Sequence, residues 1–134
     1  MIVSTRGRYA IRVLCDLAEN RDKGFIPMKE IAKRQGISLK YIERILPVLT
    51  KNGYIEGLQG RGGGYKLTKA PEEYIIGDLL RLTEGSLAPV ACLEEGAPKC
   101  KNAEKCPTLK MWSGLNDVLN DYFDKITLGD LITG

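Results

Sequence analysis

The sequence predicts a mainly α-helical chain with one small β-hairpin, and three observations carry that reading. Apolar residues recur at helical spacing in four separate segments. A glycine-rich stretch, Gly60-Arg61-Gly62-Gly63-Gly64, lies between two short extended runs. The last long segment, 108–126, carries an apolar seam at heptad spacing.

Along the chain, Ala10, Val13, Leu14 and Leu17 recur at i, i+3, i+4 and i+7, which places them on one face of a helix over 6–19. A short helix over 29–35 follows Pro27 and stops at Gly36, a residue that tolerates positive φ. Ser38 is a natural N-cap for a third helix, which turns Ile42, Ile45, Leu46 and Leu49 inward. Pro47 lies inside that pattern, where it removes a backbone donor and is expected to bend the helix before Asn52-Gly53 ends it. The runs 54–59 and 65–68 form the hairpin, and a fourth helix covers 75–84. Segment 85–107 has little periodicity and needs an organising agent of its own. In the last helix Trp112, Leu115, Leu119, Tyr122 and Ile126 form the heptad seam, with Val118 and Phe123 as a second stripe beside it. Two stripes suit a helix that covers its own domain with one and a second copy of the chain with the other; a helix buried within a monomer would look the same. Thr127-Leu128-Gly129-Asp130 has the pattern of a capping box opening a final turn. The chain thus divides into 1–84, 85–107 and 108–134.

Composition narrows the chemistry. Among 134 residues, 43% are hydrophobic and 28% charged, values that support one sizeable core and argue against disorder. No apolar run reaches the roughly 18 residues of a membrane span, and the N-terminus lacks the apolar core of a secretory signal. A cytoplasmic protein without membrane contact is expected. Histidine is absent, which removes Ser-His and Cys-His dyads and every His metal ligand. With no acid–base pair in a recognisable site either, an enzyme is not expected.

The net charge of +3 hides a division. Residues 1–70 carry 14 Lys and Arg against 6 Asp and Glu, a net of +8; residues 71–134 carry 6 against 11, a net of −5. Such asymmetry fits a polyanion partner for the first half, although charge alone also fits solvated faces. Helix, tight turn, helix and glycine-rich hairpin together make a winged helix-turn-helix pattern. Ser38, Lys40, Tyr41, Glu43 and Arg44 occupy the first two turns of the third helix, the part that reaches base edges in a major groove. Arg44 suits guanine and Glu43 the cytosine amino group, while Ser38 and Lys40 suit phosphates. Arg61 at the hairpin tip fits a minor groove, and Arg6 and Arg8 would add phosphate contacts. Double-stranded DNA is therefore the expected partner.

Of the four cysteines, Cys15 lies among apolar neighbours in the first helix. Cys92, Cys100 and Cys106 cluster as C-x7-C-x5-C, which in a cytosolic protein points to metal or redox chemistry rather than disulfides. No C-x-x-C is present, so zinc-knuckle and thioredoxin motifs match poorly. Thiolates suit an iron–sulfur cluster, and Lys99, Lys101 and Lys105 favour their deprotonation. A fourth ligand would come from Glu94, Glu95, Glu104, a partner subunit or a small molecule. A metal-free, redox-sensing thiol loop is the alternative.

Residues 3–19, opening Val3-Ser4-Thr5-Arg6-Gly7-Arg8-Tyr9-Ala10, resemble the start of the Rrf-two transcription regulators. Ile31-Ala32, Gln35-Gly36-Ile37-Ser38 with Tyr41-Ile42-Glu43, and Gly62-Gly63-Gly64-Tyr65 are similar to that family's helix-turn-helix and wing. Cys106 to Trp112 and Ile126-Thr127-Leu128-Gly129-Asp130-Leu131 extend the resemblance over nearly the whole chain. It implies a homodimeric winged-helix repressor, dimerised through the long C-terminal helix and bound to a palindromic operator. For the IscR-type branch it further implies a 2Fe–2S cluster on Cys92, Cys100 and Cys106, and control of cluster-assembly genes. The CymR-type branch, controlled by thiol oxidation or a docked metabolic enzyme, lacks the cysteine trio. Three positions depart from the related patterns: Leu109 stands where IscR-type members have histidine, Arg8 where NsrR-type members use aspartate, and Gln59 where the wing arginine is usual.

Overall fold

The computed structural model describes residues 3–98 and 101–133. Six helices and one hairpin follow in order: α1 Thr5–Glu19, α2 Met28–Gln35, α3 Leu39–Lys51, β1 Ile55–Leu58, β2 Gly64–Leu67, α4 Ile76–Glu84, α5 Leu109–Asp124 and α6 Leu128–Thr133. Short 3-10 turns occupy Arg21–Lys23, Pro71–Glu73 and Ala91–Leu93.

The helix boundaries have local causes. The Ser4 side chain accepts from the Gly7 N–H at 3.1 Å and caps α1. Gly36, at φ 64°, ends α2 in the left-handed conformation that a side chain disfavours, which makes the helix-turn-helix corner. Ser38 caps α3 by accepting from the Tyr41 N–H. The helix runs through Pro47 to Lys51 as one element. Proline removes one donor there, but buried Ile45, Leu46 and Leu49 anchor both sides of it.

One core holds these elements together. Ala10, Val13, Leu14 and Leu17 of α1 meet Ile31 of α2, then Ile42, Ile45, Leu46 and Leu49 of α3, all essentially solvent-free. Burying each large side chain contributes about 2 kcal/mol. The C-terminal segment returns to this core. Leu128 is fully buried, its N–H donates to the Tyr74 carbonyl at 2.9 Å, and the Ile76 N–H donates to the Ile126 carbonyl. The expected capping box is formed reciprocally between Thr127 and Asp130, at 2.9 and 3.2 Å.

The hairpin is antiparallel, pairing Ile55 with Leu67 and Leu58 with Gly64. A third segment supports its base, because Ile26 and Tyr65 exchange two 2.8 Å backbone bonds. Gly64, at φ 152°, makes that approach feasible: a Cβ there would sit 2.2 Å from the Ile26 carbonyl oxygen.

Candidate nucleic-acid interface and cysteine loop

The helix-turn-helix is fixed from behind. Asp16 of α1 is buried and accepts from Arg34 twice, at 2.9 and 2.8 Å, and from the Gln35 amide at 3.0 Å. The hydrogen bond to Asp16 raises the Arg34 pKa above its ordinary value, although partial burial opposes it. This clamp ties α2 to α1. The sequence signals it weakly: Asp16 lies three residues after Val13 at the edge of the apolar face, while its other helical neighbours, Arg12, Glu19 and Asn20, are polar.

On the opposite side of α3, Lys40, Glu43 and Arg44 are exposed, as the helical phase requires when Ile42 and Ile45 point inward. Ser38 is exposed, with its hydroxyl engaged in the cap. Tyr41 is half-buried, and its ring packs edge-on against Tyr9 at 5.2 Å, so much of the side chain serves the α1–α3 contact. Arg61 is exposed at the wing tip, where Gly63 N–H closes the turn onto the Gly60 carbonyl at 3.0 Å. Arg8 is exposed and donates to the Thr5 hydroxyl. Arg6 is exposed but donates to the Thr83 carbonyl at 2.9 Å, joining α1 to the C-terminal end of α4. Beside it, Glu84 accepts from the Ser4 N–H at 3.0 Å and the Ser4 hydroxyl at 2.6 Å.

The cysteine loop, 85–108, has a different character. Leu87 is its sole buried side chain among the described residues. Cys92 is exposed in the Ala91–Leu93 turn. Cys106 is half-buried just ahead of α5, with its Sγ 3.3 Å from the Thr108 hydroxyl. Hydrogen bonds from the Thr108 side chain and backbone lower the Cys106 pKa; burial opposes them, and the Leu109 N–H adds to the lowering. Cys15 goes the other way: burial, with Glu19 nearby, pushes its thiol up to about 11. Cys100 lies outside the described residues, as does Lys99. Among the described residues no three Cys, Asp or Glu side chains converge on one point, so neither Glu94, Glu95 nor Glu104 joins Cys92 and Cys106 in a preformed set. The two described loop thiols, Cys92 and Cys106, are in no disulfide, and Cys106 is shifted toward thiolate, so the donor chemistry fits a thiophilic group.

A cleft of about 230 Å³ separates this loop from the helices behind it, lined by Arg81, Ser86, Leu93, Glu95, Asn116 and Asn120. Arg81 bridges α4 to α5, donating to Asn120 at 2.7 Å and pairing with Asp124 at 2.8 Å. Phe123 and Ile126 pack against the core. Met111, Leu115, Val118 and Tyr122 instead stand 40–63% exposed. Their steps of 4, 3 and 4 make a heptad stripe that overlaps the expected seam at Leu115 and Tyr122. Trp112 and Leu119 are half-buried on its flank, and Ile126 belongs to the intramolecular side.

Comparison with known proteins agrees with this architecture. The family described as Rrf2, iron-dependent transcriptional regulator, matches residues 3–134. The HTH-type transcriptional regulator IscR of Escherichia coli is 36% identical over 132 residues, covering 98% of this chain and 80% of its own. The structure of CymR, the global cysteine regulator of B. subtilis, superposes with a TM-score of 0.82 at 29% identity, covering 99% of this chain and 97% of that one. IscR of T. potens gives 0.76 at 30% identity, covering 99% and 87%. An oxidized form of Staphylococcus aureus CymR gives 0.78 at 30%, covering 100% and 98%. A helix-turn-helix with a charged exposed face, a glycine-tipped wing and a C-terminal segment returning to the same core thus meets its relatives over nearly its whole length: the chain belongs to the Rrf2 family of transcriptional regulators.

Proposed function

We propose that the protein is a homodimeric repressor that binds a palindromic DNA operator through α3 and the wing, and whose affinity is set by the cysteine loop. The observation that carries this reading is Cys106. A thiol shifted toward thiolate sits at the start of the helix that bears the exposed apolar stripe, in a loop with almost no core of its own. In this reading the stripe Met111, Leu115, Val118 and Tyr122 packs against the same stripe of a second copy, as an isologous contact requires.

Cys92, Cys100 and Cys106 would hold a 2Fe–2S cluster, which when bound supplies sensitivity to iron and oxidants through its thiolate ligands. Leu109 supplies no ligating atom, so a fourth bond would come from a loop glutamate, the partner subunit or a small molecule. The chain's own residues then provide the route to DNA. The loop leads into α5, Arg81 joins α5 to α4, and the end of α4 holds Ser4 and Arg6 at the start of α1. Genes for cluster assembly are the targets this reading favours. Control by thiol oxidation without a cluster, or by a docked enzyme, is the second reading. The depressed Cys106 thiol and the likeness to CymR support it.

The test replaces Cys92, Cys100 and Cys106 together by Ala. The variant should remain a dimer, and its DNA affinity should stop responding to iron and sulfide supplied without oxygen. A variant responding by the wild-type factor overturns the cysteine-loop mechanism. A wild-type response to thiol oxidants alone, reversed by reductant, selects the second reading.

A further inference from the structure

The basic half contains one arginine whose surroundings are unlike those of the others. Arg34 is neutralised by Asp16, and Arg6 is held by the α4 carbonyl. Arg12 is exposed, makes no ion pair among the described residues, and is nevertheless held on two sides. Its guanidinium lies 5.3 Å from the centre of the Tyr9 ring. Its Nε donates to the Gln35 side-chain oxygen at 3.3 Å, and one terminal nitrogen donates to the Gln35 carbonyl. Gln35 is the last residue of α2, so the cation stands at the helix-turn-helix corner, immediately before the reading helix. Tyr9, the ring beneath it, packs edge-on against Tyr41 in the first turn of α3.

A guanidinium has five N–H donors, and two are used here, so three remain. A positive charge without a counter-ion among the described residues, held over the Tyr9 ring and by two hydrogen bonds, meets the requirement for a preorganised phosphate contact. We propose that Arg12 binds a backbone phosphate of the DNA where it passes the helix-turn-helix corner, with Tyr9 and Gln35 fixing its position. This rests on the DNA-binding reading of α3. A purely structural role, capping the free carbonyls of α2, would use the same two hydrogen bonds. The two roles differ in what salt does to binding.

Each phosphate contact contributes about 0.9 to the slope of log affinity against log salt. Binding of a mixed-sequence duplex of about 30 base pairs, three helical turns, should be titrated over a salt series. Arg12→Gln keeps an N–H donor near the place of Nε, which faces the Gln35 side-chain oxygen, but removes the charge. For each chain on the duplex it should weaken binding about tenfold near 0.1 M salt and reduce the slope by about 0.9. Arg12→Lys keeps the charge and should leave the slope at the wild-type value. Comparison at a temperature where circular dichroism reports each variant fully folded separates these effects from stability. A slope for Arg12→Gln equal to wild type, with or without weaker binding, overturns the phosphate contact. Wild-type protein showing no salt-dependent affinity for the duplex would instead overturn the DNA-binding reading on which it rests.

Discussion

The reading half and the cysteine loop are built on opposite principles. In α1 to α3, each exposed polar side chain stands on an element whose other face is buried: Lys40, Glu43 and Arg44 are backed by Ile42, Ile45 and Leu49. A side chain held in that way has its backbone fixed by the packing behind it. Across 85–108, Leu87 alone is buried among the described residues, so little burial opposes the conformational entropy of the chain. Conformational change is least opposed where few contacts are lost, which is in 85–108 rather than in α1 to α3.

The sharpest way to break this contrast is through the C-terminal segment. Leu128 lies after the loop and the long helix, yet it is fully buried with the α1–α3 core. Leu128→Ala should therefore cost about 3 kcal/mol in urea unfolding, as an interior leucine does. A cost below about 1 kcal/mol would place the segment outside the cooperative core. A smaller effect sharpens the contrast at the cysteines themselves. Cys106 is lowered from its usual range by hydrogen bonds, whereas Cys15 is pushed up to about 11 by burial. Since the thiolate is the reactive form, iodoacetamide at pH 8 should label Cys106 at least about tenfold faster than Cys15 in the cluster-free protein, read by peptide mass spectrometry. Raising the pH toward 11 should narrow that ratio as Cys15 ionises. Equal rates at pH 8 would remove the chemical distinction between core and loop.

The elements legible in the sequence were those with local causes. The α1 face of Ala10, Val13, Leu14 and Leu17, the Ser38 cap and the Thr127–Asp130 box all appear where spacing places them. Contacts between distant segments were not legible, because no periodicity encodes a partner. The Asp16–Arg34 clamp spans 18 positions, and Ile26 joins the hairpin across 39. The exposed stripe of α5 illustrates an intermediate case. Two overlapping apolar stripes run along α5, and a sequence cannot assign them to inside and outside until Phe123 and Ile126 are seen against the core. Tyr41 and Arg6, both expected at DNA, also hold intramolecular contacts. A reading face built on a small domain must be braced by its own side chains.

The most direct test of the cluster-sensing account is the iron and acid-labile sulfide content of protein purified without oxygen, with its visible absorption. The account predicts a coloured protein with about two irons and two sulfides per chain, both lost in the variant lacking Cys92, Cys100 and Cys106. A colourless protein that binds DNA fully, and that supplied iron and sulfide do not convert, would contradict it.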